Sequence, residues 1–104
     1  MQYYNNEHIG EEWLTHFEKS DFTATPSYAE TVEYFRNLAD KSPYAKLQTF
    51  GVSHQNRNMV CLVISETMEF TPKRTRKSPK AIVLINNGLH AGEIDGKDAS
   101  MMLL

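Results

Sequence analysis

A single cysteine, Cys61, is present in 104 residues, which rules out an internal disulfide framework. It falls in the apolar run Val60-Cys61-Leu62-Val63-Ile64, where a small buried side chain is its expected role. No apolar run reaches membrane-spanning length, and the start, Met1-Gln2-Tyr3-Tyr4-Asn5-Asn6-Glu7, lacks the basic and apolar regions of a secretory signal. No membrane partner is therefore expected, while the compartment stays open, since sequence upstream of Met1 would change it. An excess of either charge is also missing: 11 Lys and Arg against 13 Asp and Glu leave a net charge of −2. That balance points to no polyanionic partner, so no nucleic-acid partner is expected. Internal repeats and low-complexity stretches are absent as well. The length suits one small domain and is short for an enzyme with a built cleft.

What is present divides into segments. Residues 1–24 carry Glu7, Glu11, Glu12, Glu18 and Asp21 against the lone Lys19, interspersed with Tyr4, Trp13 and Phe17, and read as a partly packed N-terminal extension. Thr25-Pro26-Ser27 starts a helix, with proline in the first turn and Ser27-x-x-Glu30 spaced as a capping box. Tyr28, Val32, Phe35, Leu38 and Ala39 form its apolar stripe, and Ser42-Pro43 ends it. Lys46 to Val52 and Met59 to Ser65 predict an antiparallel hairpin, joined by a turn through Ser53-His54-Gln55-Asn56-Arg57. A polar connection from Glu66 to Lys80 leads to Ala81-Ile82-Val83-Leu84-Ile85, whose lack of alternation predicts a third strand covered on both faces. A second helix follows, with Ala99, Met102 and Leu103 on one face. Helix, strands and helix in this order make the class α/β. The apolar end Met101-Met102-Leu103-Leu104 has no glycine cap and no basic last turn, which points to a truncated chain.

Chemistry concentrates after the predicted third strand. A catalytic zinc site takes three protein ligands and keeps one position open for water, and His90 and Glu93 could supply two of the three. Two intervening residues let a histidine in a turn and a carboxylate entering a helix converge on one ion. Their position beyond the carboxyl end of a strand is where sites gather in open α/β sheets. Spacing alone does not decide, since His8-Ile9-Gly10-Glu11 repeats it with no strand before it. Ser53-His54 suggests a nucleophile and base, but adjacent residues in an extended turn point apart and no acid is placed to orient the imidazole. The basic run Lys73-Arg74-Thr75-Arg76-Lys77-Ser78-Pro79-Lys80 reads as a solvated loop. Asp95 and Asp98 suit the positive end of a helix dipole, and Asp98 could in addition orient a ligand.

The stretch Ile85-Asn86-Asn87-Gly88-Leu89-His90-Ala91-Gly92-Glu93-Ile94-Asp95-Gly96-Lys97-Asp98-Ala99 resembles the first zinc-binding motif of the zinc carboxypeptidase (carboxypeptidase A-like) family, in its bacterial-type form. Gly51-Val52-Ser53 followed by Arg57 resembles the turn that joins the family's first two strands. The likeness runs from about Thr25 to Leu104, which would make residues 25–104 the N-terminal portion of such a catalytic domain. It implies an α/β/α sandwich around a mixed β-sheet, here truncated, with His90 and Glu93 as the first two ligands of one Zn2+ ion. The family's third ligand, its general-base glutamate and its substrate-gripping arginines lie further along than Leu104, and His8, His16 and His54 match none of them. The implied partner is a peptide or small amide substrate. One departure stands within the motif: many digestive-type members have an arginine before the zinc-binding glutamate, where this chain has Gly92. Related amino-acid deacylases use a similar pair with small residues between, so deacylation competes with peptide cleavage, and a non-enzymatic remnant or binding module is the reading from another class.

Overall fold

The computed structural model describes residues 10–104. They comprise a short 3-10 turn at Glu11–Trp13, helices α1 (His16–Lys19), α2 (Tyr28–Lys41), α3 (Pro72–Thr75) and α4 (Asp95–Leu103), and strands β1 (Ala45–Val52) and β2 (Asn58–Ile64). Helices with an antiparallel pair give the mixed α/β class that the sequence predicts. Two compact units can be distinguished among the described residues: Tyr28–Ile85 forms one, and residues 10–27 together with Asn86–Leu104 form the other.

In the Tyr28–Ile85 unit, α2 follows the expected stripe. Val32 is buried and Phe35, Leu38 and Ala39 are half-buried, and α2 packs on the hairpin. Strands β1 and β2 pair from Ala45 opposite Ile64 to Val52 opposite Asn58. The ladder slips between Thr49 and Gly51, so Phe50 is the extra residue of a bulge. Phe50 is 66% exposed, and Tyr28, the first residue of the expected apolar stripe, is 41% exposed. Val60, Cys61, Leu62 and Val63 are all half-buried, which accounts for the missing alternation in that run. The connecting turn closes through the Ser53 amide donating to the Arg57 carbonyl at 2.8 Å, and Asn56 takes the left-handed conformation at φ 60°. Tyr28 links this turn to α2: its hydroxyl donates to the Asn58 carbonyl at 2.7 Å, and the Arg57 guanidinium lies 5.6 Å from its ring centroid.

The expected third strand does not form. Residues 81–88 have no regular secondary structure, and Ile82, Val83, Leu84 and Ile85 are 70%, 79%, 83% and 63% exposed. The physical reason is lack of a ladder: the described sheet consists of β1 and β2 alone, and a strand covered on both faces needs neighbours to take its amides and carbonyls. Before it, the Glu66 to Lys80 connection is shaped by Thr71, whose hydroxyl caps α3, and by an ion pair between Lys80 and Glu66. The hydrogen bond from Lys80, then its charge, hold the exposed Glu66 carboxyl below its usual range.

In the other unit, Thr15 and Glu18 form a reciprocal capping box on α1, with the Thr15 amide 2.7 Å from Glu18 Oε2 and the Glu18 amide 3.3 Å from Thr15 Oγ1. Lys97 of α4 donates to the Pro26 carbonyl at 2.9 Å. The buried face of α4 carries Asp98 and Met101, which are 2% and 1% exposed, whereas Ala99 and the 81%-exposed Leu103 of the predicted face point away. Neither carboxylate oxygen of Asp98 has a hydrogen-bond partner among the described residues. Asp98 stands in the first turn of α4, as expected of an acidic residue that suits the helix dipole, and is enclosed there.

Two outcomes follow from these packing features. Asn56→Val places a β-branched residue at positive φ and is expected to lower stability by about 1–2 kcal/mol, read as a reduced urea midpoint with unchanged m-value. Asp98→Asn keeps the side-chain shape while removing an unpaired buried charge, so the thermal midpoint should rise; a fall would show that the carboxylate has a partner.

Candidate metal centre

The segment that precedes α4 brings His90 and Glu93 together by a turn. The Glu93 amide donates to the His90 carbonyl at 3.0 Å, closing a four-residue loop through Ala91 and Gly92. With the backbone so closed, the two side chains lie on the same side. His90 Nδ1 stands 3.3 Å from Glu93 Oε1, and the two side chains are 81% and 73% exposed. Helix α4 begins two residues later, with the Asp98 amide donating to the Ile94 carbonyl at 3.1 Å and Asp95 in its first turn. The carboxylate of Glu93 thus sits beside the positive end of a helix dipole.

The spacing fits a shared ion. Two ligands at about 2.1 Å from a tetrahedrally coordinated zinc stand roughly 3.4 Å apart, close to the 3.3 Å separation of this nitrogen and oxygen. An imidazole nitrogen and a carboxylate oxygen are also donor types that zinc accepts. Among the described residues no group of three or more His, Cys, Asp or Glu side chains is placed to hold a metal ion, so the pair is a two-donor arrangement. His16 lies in α1 and His54 in the hairpin turn. His8 and Ile9, of the competing pair with Glu11, lie outside the described residues.

The other sequence candidates find structural uses. Ser53 Oγ accepts from the Arg57 amide at 3.2 Å, so its lone pair serves the hairpin turn. In the basic run, Lys80 is paired with Glu66, and Lys73 and Arg74 form part of α3. A hollow of about 370 Å³ between α2 and β1, lined by Arg36, Ala39, Asp40, Ala45, Lys46 and Leu47, has no histidine or cysteine in its wall. Sequence reasoning passed over Asn87, whose amide donates to Ser100 Oγ at 2.8 Å, just before the ligand turn. Its signal was local: a side-chain hydrogen-bonding residue immediately before a glycine that leads into a turn.

A family model described as zinc carboxypeptidase matches residues 31–104. No curated protein and no solved structure matches the chain.

Gly88 adopts φ +67°, and a Cβ there would meet nothing within 4 Å, so the constraint is one of backbone conformation alone. Gly88→Ala should therefore cost about 1 kcal/mol locally, seen as faster exchange of the Glu93 amide that closes the turn, and Gly88→Asn should cost less.

Proposed function

This chain belongs to the zinc carboxypeptidase family, and from that premise we propose that His90 and Glu93 are two protein ligands of one zinc ion in a metallocarboxypeptidase that hydrolyses C-terminal peptide bonds. The observation that carries this reading is the 3.3 Å approach of His90 Nδ1 to Glu93 Oε1 on a single closed turn. Zinc, when bound, lowers the pKa of a coordinated water and polarises the carbonyl that the water attacks. This chain's own residues supply binding and orientation. His90 offers a neutral imidazole nitrogen and Glu93 an anionic oxygen, so the pair brings one negative charge to the ion. The backbone bond between them limits how far they can separate, which reduces the ordering needed on chelation. In the family resemblance, the third ligand, the general base and the arginines that hold a terminal carboxylate match no residue of this sequence, so the roles proposed here are those of His90 and Glu93 alone.

A second reading rests on Gly92. Lacking an arginine beside Glu93, the turn has no cation of its own to help polarise a scissile carbonyl, and a small residue there suits an amino-acid deacylase of related fold. Peptides with a free C-terminus and N-acyl amino acids, offered to a protein that carries the remaining ligands, separate the two.

The 104-residue chain is itself testable. It should bind zinc weakly and release no amino acid from C-terminal peptide substrates, since it brings two close donors rather than three. His90→Ala or Glu93→Ala should abolish the binding and His8→Ala should leave it intact. Isothermal titration of the four proteins checks this, and equal loss from all three variants would sink the choice of pair.

A further inference from the structure

The loop that carries the candidate ligands is tethered at one point upstream. No backbone amide or carbonyl of residues 81–89 is hydrogen-bonded among the described residues. The turn from His90 to Glu93 closes on itself but does not fix its own direction. Direction must come from the ends. Downstream, Ile94 leads directly into α4. Upstream, the side chain of Asn87 lies along α4: Nδ2 donates to Ser100 Oγ at 2.8 Å, and Oδ1 sits 2.6 Å from where a Cβ on residue 96 would stand, with Cγ at 3.4 Å.

Gly96 and Ser100 are four residues apart, so they present one face of the helix to Asn87. Glycine so early in a nine-residue helix is otherwise a poor choice, because it costs helical stability relative to alanine. Here the missing Cβ leaves the space that the Asn87 amide occupies. One side chain thus meets two features of α4, a hydrogen-bonding hydroxyl and an absent methyl group. Between that anchor and the start of the helix the chain has to return within seven residues, through the positive-φ turn at Gly88.

We infer that Asn87 is a positioning residue for the His90–Glu93 pair: clamped between Gly96 and Ser100, it holds the loop in the form that turns both donors toward one ion. The inference rests on the zinc reading above and names the part of the chain that pre-organises it. Its energetic role is to fix the loop before metal arrives, as residues behind metal ligands commonly do, with losses of about 10- to 100-fold in affinity when they are removed.

The test uses the 104-residue chain and zinc ion alone, with two readouts. Amide chemical shifts at His90 and Glu93 report zinc affinity, and hydrogen exchange without metal reports loop order. Asn87→Ala and Ser100→Ala should weaken zinc about tenfold and speed exchange of the Glu93 amide, which donates to the His90 carbonyl, while leaving the α4 amides unchanged; Ser100→Thr, which keeps the hydroxyl, should behave as the parent. Gly96→Ala is the sharpest variant, since it favours the helix but evicts Asn87: helix protection should hold or rise while zinc affinity falls. Unchanged loop exchange and unchanged zinc affinity in Asn87→Ala and Gly96→Ala would overturn the clamp. A parent chain whose His90 and Glu93 shifts ignore zinc, yet whose loop exchange still quickens in Asn87→Ala, would overturn the metal assignment and leave the clamp standing.

Discussion

One backbone hydrogen bond, from the Glu93 amide to the His90 carbonyl at 3.0 Å, underlies the proposed metal centre. Without it, two residues separated by Ala91 and Gly92 could point in any relative direction. With it, the imidazole and the carboxylate are held on one side and their polar atoms come within 3.3 Å. The turn is short enough to be built from small residues, and it lies immediately before α4, so the helix begins where the carboxylate ends. The rest of the candidate centre depends on that closure: α4 fixes one end of the loop, and Asn87, packed into the space left at Gly96, fixes the other.

Much of this was legible from residue order. The stripe of α2, the extent of the hairpin and the pairing of His90 with Glu93 all follow from patterns confined to about a dozen residues, where local geometry decides the outcome. The reciprocal box at Thr15 and Glu18 has the same spacing as the pair Ser27 and Glu30, but it lies in the N-terminal extension, where no long apolar stripe follows to mark a helix. The buried face of α4 was misjudged because Ala99 and Leu103 look more apolar than Asp98, and nothing in composition separates Met101 from the half-buried Met102, whereas enclosure is set by what packs against the helix. Hydrophobic patterning reports which side chains prefer burial; it does not report which find a neighbour.

The run Ala81 to Ile85 makes the same point with larger stakes. Its composition is that of a central strand, yet a strand is a pairwise object, and the only described ladder is between β1 and β2. Its side chains, 63% to 83% exposed at Ile82 to Ile85, therefore remain in water at a cost that a fully paired sheet would remove. Propensity is a property of the segment, whereas pairing depends on partners elsewhere in sequence, so no reading of these five residues alone could settle their state.

The same distinction bears on catalysis. A metal centre needs ligand types, their spacing and a third donor from outside the turn, and only the first two are local. Because His90 and Glu93 are mostly exposed, each loses little hydration before an ion arrives, and water competes with the protein for every coordination position. Two donors on a closed turn reduce the ordering cost, but they leave at least two positions to solvent. Enclosure by further chain would change both quantities together, raising affinity by adding a ligand and strengthening the field of the ion by excluding water. On the zinc reading proposed above, the turn at His90 to Glu93 sets where an ion would sit, and the reactivity of that ion would be set by whatever closes over it.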